Sequence, residues 1–149
     1  MSIRKATNSE TEEILTYSLK VLTEATMGFV EPNIEKVIPF GSSFLKDGGY
    51  YLVCNENNTI KGWIGIGAFI DYYSDELVGM IPEIYVIPQY RNQGIGEQLC
   101  CEAMKHLKEQ GFSKVQLNVY TGNRAKHLYQ KLGFQEVSTI MERNLDQVR

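Results

Sequence analysis

Two glycines one residue apart, Gly94 and Gly96, sit where a run of strand-forming residues gives way to a helical stripe. Ile84, Tyr85, Val86 and Ile87 are β-branched or aromatic, and Pro88 stops them. A short polar turn, Gln89 to Gln93, leads into the glycines. Ile95, Leu99, Ala103 and Leu107 then recur every four residues, with Cys100 and Met104 widening the stripe. A strand feeding a glycine-rich turn into a helix leaves backbone N–H groups free at the positive end of the helix dipole. That is an anion site, and its usual occupant is a phosphate.

The neighbouring residues narrow the choice of phosphate. A dinucleotide-binding turn needs a third glycine, but Leu99 holds that position. The acidic residue such a fold places about 20 positions further on is replaced by Ser113-Lys114-Val115-Gln116. A nucleotide-triphosphate loop fails for want of Gly-Lys-Ser/Thr. The third reading is a pyrophosphate site for coenzyme A, and a family resemblance carries it. Arg91-Asn92-Gln93-Gly94-Ile95-Gly96 resembles the acetyl-CoA loop of the GNAT superfamily of N-acetyltransferases, Gln/Arg-x-x-Gly-x-Gly/Ala. Tyr85-Val86-x-Pro88-x-Tyr90-Arg91 resembles the family's lead-in to it. A second stretch, Asn123-x-Ala125-x-x-Leu128-Tyr129-x-Lys131-x-Gly133-Phe134, is similar to the other family signature, Asn-x-x-Ala-x-x-Leu-Tyr-x-x-x-Gly-Phe. It departs in one place, since Gly122 takes the usual asparagine position when counted back from Tyr129. With Ile3-Arg4-x-Ala6 at the start, the resemblance spans the whole chain.

The resemblance implies direct acetyl transfer from acetyl-CoA, with no metal. Pyrophosphate would lie on Asn92, Gln93, Gly94, Ile95, Gly96 and Glu97, flanked by Arg91. The backbone of Ile84, Tyr85 and Val86 would run beside the pantetheine, with an N–H near Tyr85 or Val86 polarising the thioester carbonyl. Asn123 would be a further coenzyme contact. Tyr129 falls where the family keeps the general acid for the departing thiolate. It also lies on the apolar stripe of its own helix, so simple core packing is the rival reading, and a tyrosine can serve both. Glu83 is the only carboxylate of the fourth strand and shares a face with Tyr85, which suits a general base for the amine. The rival reading there is a glutamate solvating a strand end. Asn118 occupies the position at which some protein-acetylating relatives carry a glutamate. Lys114 and Lys126 read as surface, with a contact to the coenzyme's ribose phosphate as the alternative.

These residues must be positioned by the remainder of the chain. Ser2 to Ala6 reads as a first strand, and Ser9 with Glu12 has the spacing of a capping box. Ile14, Tyr17 and Val21, beside Leu15, Leu19 and Leu22, predict one helix of roughly four turns ended by Gly28. Pro32 and Pro39 break the stretch from Phe29 to Gly49, leaving short helical pieces such as Ile34 to Ile38. Tyr50 to Asn55 and Thr59 to Ile70 are strands around an Asn-rich turn, and Gly62, Gly65, Gly67 and Ala68 signal bends or close backbone contact. Pro82 calls for a bulge or a strand start. Lys114 to Val119 alternates as a fifth strand, a short helix comes after it from Thr121 or Asn123, and Gln135 to Leu145 supplies the last strand or pair of strands. The fold expected is an α/β, GNAT-like mixed and largely antiparallel sheet, with helices on both faces and a cleft where strands four and five splay.

Composition sets the outer bounds. At 149 residues, a single domain over 1–149 is expected. A formal net charge of −3 speaks against nucleic acid as the main partner. No apolar run approaches the ~20 residues of a membrane helix, and no signal-peptide core opens the chain, so a cytoplasmic protein is expected. Three cysteines, two of them adjacent, and two histidines give a metal site little support. The acceptor is expected to be a small primary amine, drawn by Glu31, Glu35, Asp71, Asp75 and Glu76 at the cleft mouth. Acetylation of a protein or peptide, and a non-catalytic acyl-CoA sensor on the same fold, are the alternatives. The oligomeric state is left open, a homodimer included.

Overall fold

The computed structural model describes residues 2–31, 33, 35 and 43–149. The short helix expected over Ile34 to Ile38 lies outside the described residues. In chain order, β1 (Ser2–Lys5) leads to α1 (Asn8–Leu15) and α2 (Ser18–Ala25). The hairpin β2 (Tyr50–Glu56) and β3 (Thr59–Ile70) comes next, followed by β4 (Leu77–Met80) and β5 (Ile84–Val86). The long helix α3 (Ile95–Glu109), β6 (Val115–Gln116) and α4 (Ala125–Lys131) complete the elements around the site.

The sheet runs β1-β2-β3-β4-β6, with β5 also on β3, and every pairing except β4–β6 is antiparallel. Period-two patterning decides its faces. Leu52, Cys54, Ile64 and Ile66 turn to one side and pack with Leu99, Cys100, Ala103 and Leu107 of α3. Tyr51, Val53, Trp63 and Tyr85 turn to the other, under Ile14 and Val21 of α1 and α2. Asn57 and Asn58 take positive φ at the β2–β3 turn, as an Asn-rich two-residue hairpin requires.

β4 and β5 are one strand broken at residues 81–83. Gly67 lies opposite Met80, but Ile64 lies opposite Ile84, so the register slips by one residue and Pro82 sits in the bulge. A Cβ on Gly62 would meet the Tyr85 carbonyl oxygen at 2.8 Å, which is the close backbone approach its small size permits. The parallel ladder of β4 and β6 joins only Gly79 to Val115 and Met80 to Gln116. Past it, β5 stays on β3 and residues 117–119 make no ladder, so the sheet opens.

Four expectations need correction. The fifth strand expected over Lys114 to Val119 forms only at Val115–Gln116, where β4 supplies a partner. The single first helix is two, because Thr16 and Ser18 hydroxyls donate to the carbonyls of Glu13 and Leu15, at 2.6 and 2.7 Å, and break the regular ladder. The capping box belongs to Thr7 and Glu10, two residues ahead of Ser9 and Glu12. No strand forms over Gln135 to Leu145, which runs exposed and off the sheet.

Candidate active site

The loop before α3 is shaped by two left-handed residues, Asn92 (φ 64°) and Gly94 (φ 81°). They turn the chain so that the first internal bond of the helix runs from the Gln98 N–H to the Gly94 carbonyl. Among the described residues, the backbone N–H groups of 92–97 have no protein acceptor. Six unpaired donors at one helix terminus form an anion cradle with no side chain required. A Cβ on Gly96 would lie 3.5 Å from Leu128 and 3.9 Å from Val86, so the glycine leaves a narrow channel between those two side chains.

Ladder parity on β5 settles which backbone groups face that channel. Gly65 donates to the Glu83 carbonyl and Ile87 to that of Lys61, so the groups of residues 83, 85 and 87 point at β3. Those of Ile84 and Val86 therefore point away from it, and the Val86 carbonyl accepts from Arg91 Nε at 2.8 Å. Of the two N–H groups expected near the thioester, Tyr85's is turned into the sheet and Val86's is available.

The opening between β5 and residues 117–119 is a cleft of about 1370 Å³. Glu83 and Tyr129 both line it, from opposite sides of the sheet. Glu83 shares its face with Trp63 and Tyr85, and its carboxylate accepts from Trp63 Nε1 at 2.6 Å. Protein surrounds the carboxyl on most sides, and this burial raises its pKa against the lowering effect of the indole bond. Tyr129 belongs to the opposite core and meets Phe134 edge-on, with ring centroids 5.9 Å apart. Burial raises its phenol pKa above the ordinary value. Its hydroxyl has no protein partner among the described residues, yet it is not sealed from the cleft.

Comparison with known proteins joins this geometry to a lineage. A family profile described as the Acetyltransferase (GNAT) family matches residues 17–134. The chain belongs to the GNAT acetyltransferase family. It is 31% identical over 97 residues to an uncharacterised N-acetyltransferase of Methanocaldococcus jannaschii, covering 64% of this chain and 43% of the relative. It is 35% identical over 82 residues to the [ribosomal protein bS18]-alanine N-acetyltransferase of Haemophilus influenzae, covering 55% and 52%. The chain thus spans about half the length of these relatives. A putative acetyl transferase from Pyrococcus furiosus superposes with a TM-score of 0.77 at 24% identity, over 96% of this chain and 98% of that one. A predicted acetyltransferase from Clostridium acetobutylicum with acetyl-CoA gives 0.74 at 23%, over 98% and 97%. At these identities the structures speak for the fold alone.

Within the GNAT frame, the cleft is lined by Ile84, Tyr85, Val86, Arg91, Asn92, Gly94, Ile95, Gly96, Glu97 and Asn123, alongside Glu83 and Tyr129. Gln93, exposed, is the one predicted coenzyme contact that does not line it. Two predicted contacts have their side chains engaged elsewhere. Arg91 pairs with Glu24 at 2.7 Å and stacks over Tyr85 at 5.1 Å. Asn123 donates to the Ala25 carbonyl and accepts from the Ala125 N–H, so it ties α4 to α2. Glu31, Glu35, Asp71, Asp75 and Glu76 do not line the cleft. Glu76 instead binds Lys114 and Ser113.

Glu24 is a cleft carboxylate that sequence reasoning missed. Its signal was the spacing Tyr17, Val21, Glu24, which puts an acid on the buried stripe of α2. Phe44 and Tyr51, on the same side of the cleft, add aromatic wall. No group of three or more His, Cys, Asp or Glu among the described residues is placed to hold a metal, and no described helix is long and apolar enough to cross a membrane.

The cradle fits a coenzyme pyrophosphate, and its geometry makes the two glycines the sensitive positions. Gly94→Val forces a β-branched residue into left-handed backbone, and Gly96→Val fills the channel between Val86 and Leu128. Each is expected to weaken acetyl-CoA binding by roughly tenfold or more, whereas Gln93→Ala changes it little. Calorimetric titration checks this; unchanged affinity in both glycine variants would remove the loop from the site.

Proposed function

We propose that this chain is an acetyl-CoA-dependent N-acetyltransferase that passes the acetyl group directly to a primary amine of a small molecule. The observation that carries the reading is the row of six unpaired backbone donors at residues 92–97, opening into a cleft with Glu83 and Tyr129 on opposite sides. Coenzyme A, when bound, supplies the acetyl thioester. The cradle at 92–97 holds the pyrophosphate, and the Val86 N–H donates to the thioester carbonyl oxygen as charge develops there. Glu83, in its ionised form, takes a proton from the incoming ammonium, directly or through water, leaving the free amine to attack the carbonyl carbon. As the carbon–sulfur bond breaks, the Tyr129 hydroxyl gives its proton to the sulfur; the proton shed by the nitrogen as it becomes an amide restores the phenol through water, and Glu83 releases its own proton to solvent.

Glu83, set among Phe44, Tyr51 and Tyr85, favours an acceptor with a cationic amine on a compact apolar or aromatic body, while the charge of Glu24 is already met by Arg91. The Haemophilus relative, a ribosomal-protein alanine N-acetyltransferase, keeps a protein amine as the second reading. Coenzyme A release should be followed against a panel of small amines and of peptides with free N-termini. Release with small amines and not with peptides supports the proposal. Release with peptides alone moves the acceptor to protein, and tight acetyl-CoA binding without release to either makes the chain a sensor.

No cysteine carries the acetyl group in this mechanism. Cys54 and Cys100 are buried in the core, and burial pushes the Cys100 thiol up to about 12. Only Cys101 is exposed, and it lies outside the cleft lining. Cys101→Ser is expected to turn over like the parent, and iodoacetamide treatment of the folded parent should leave kcat unchanged. Loss of turnover in either, with coenzyme binding intact, would restore a cysteine nucleophile.

A further inference from the structure

A row of residues crosses three strands at the cleft, and its middle position has no side chain. Tyr51 on β2 lies opposite Gly65 on β3, and the Gly65 N–H donates to the Glu83 carbonyl at 2.8 Å. The three therefore stand side by side on one face of the sheet. Neighbouring strands lie about 4.8 Å apart, which roots the phenol and the carboxylate roughly 10 Å from each other. A Cβ on Gly65 would meet Pro82 Cγ at 3.2 Å and Phe44 Cζ at 3.5 Å. The space between phenol and carboxylate is thus a slot about one methyl group wide, walled by a proline and a ring edge. Gly65 is not among the glycines of positive φ, so its backbone would accept another residue and the slot is what calls for glycine.

Both ends of the row offer an oxygen to this slot. Tyr51 is only 5% exposed, and its ring meets Phe44 edge-on with centroids 5.5 Å apart. Its hydroxyl makes no hydrogen bond to a described residue, yet it is not walled off from the cleft. Glu83 spends Oε2 on Trp63 Nε1, which leaves Oε1 to face the cleft. Burial and the neighbouring Glu83 charge raise the Tyr51 phenol pKa, so the phenol presents a neutral oxygen and not a second anion. An ammonium is about the size of a methyl group and carries N–H donors on every side that its carbon does not take. We propose that the slot beside Gly65 seats a primary ammonium, held by Glu83 on one side and by the Tyr51 hydroxyl oxygen on the other, so that Tyr51 and Gly65 select primary amines. A tertiary ammonium has one N–H and satisfies Glu83 alone. The consequence for chemistry rests on the acetyl-transfer reading. Once Glu83 Oε1 has taken one proton, the neutral amine keeps two N–H groups and a lone pair. Tyr51 accepts from one of those N–H groups and so fixes the direction of the lone pair, while its own proton stays where it is.

The test is calorimetric and needs no turnover. The intact chain is saturated with coenzyme A, which has no acetyl group to give, and titrated with phenethylamine and with N,N-dimethylphenethylamine. The parent is expected to bind the primary amine roughly tenfold or more tightly. Tyr51→Phe keeps the ring on Phe44 and should lose roughly tenfold for the primary amine, while staying within about twofold for the dimethyl amine and for coenzyme A. Gly65→Ala puts a methyl group in the slot and should weaken both amines by roughly tenfold or more, again with coenzyme A affinity kept. A parent without preference for the primary amine would overturn the proposal. So would a Tyr51→Phe variant that keeps the preference or loses both amines equally, or a Gly65→Ala variant that binds both like the parent. Acetyl transfer is followed separately, as coenzyme A release from acetyl-CoA. No release, with the amine preference and its loss in Tyr51→Phe intact, would end the transfer reading and leave the ammonium seat supported.

Discussion

Tyr129→Phe is expected to lower kcat by ~10²–10⁴, the usual worth of a positioned acid, with folding and acetyl-CoA affinity nearly unchanged. The substitution removes one hydroxyl and keeps the ring that packs edge-on against Phe134. Since that hydroxyl makes no protein hydrogen bond among the described residues, its loss leaves no buried partner unsatisfied. Burial raises the phenol pKa above its ordinary ~10, so the group stays protonated across the usual assay range. The defect should therefore be uniform from neutral to mildly alkaline pH. A steady-state pH profile of both proteins decides the matter: turnover equal to the parent at every pH would make the hydroxyl structural and leave the sulfur to be protonated by water.

Glu83→Gln is expected to change the shape of the pH profile rather than lower it uniformly. A base must be ionised, and burial places the Glu83 pKa above the ordinary carboxylate range. The parent should lose activity as pH falls through that raised value, while the glutamine variant should lack this acidic limb. Its deficit should shrink as pH approaches the amine's own pKa, where free amine arrives without help. Stability has its own sign. A carboxyl whose folded pKa is raised favours folding while protonated, and that contribution is lost as pH rises through the folded value. Glutamine removes the penalty of the buried charge, so the variant should be no less stable than the parent at neutral pH. An unaltered acidic limb in Glu83→Gln would move the base elsewhere.

What could be read from the chain divides along a physical line. The β2–β3 hairpin, α3 and the phosphate cradle depend on local rules: period-two and period-four apolar spacing, paired asparagines, and a glycine whose backbone must be left-handed. All were visible in the residues. The break at Thr16 was not, because hydroxyls bonding back to carbonyls compete with the helix only weakly and apolar spacing runs straight through them. The choice of Val86 over Tyr85 rests on ladder parity, which the one-residue slip at 81–83 helps to set. Glu24 comes into the cleft through tertiary packing; its helical spacing from Tyr17 and Val21 is the one signal, and spacing alone does not say that a cleft lies beside it. Residues 135–145 carry strand character, but a strand needs an edge to pair with, and in the structure this segment runs exposed off the sheet.

The indole that binds Glu83 belongs to the chain's single tryptophan. Its emission is thus uncontaminated by any other indole, and its N–H rests on a carboxylate that lines the cleft. Protonating that carboxylate, or replacing nearby solvent with an acceptor, changes the field across the excited ring. Tryptophan fluorescence should titrate with the acidic limb of turnover in the parent and lose that titration in Glu83→Gln. The protein carries, without any label, an optical readout of the group proposed to collect the proton.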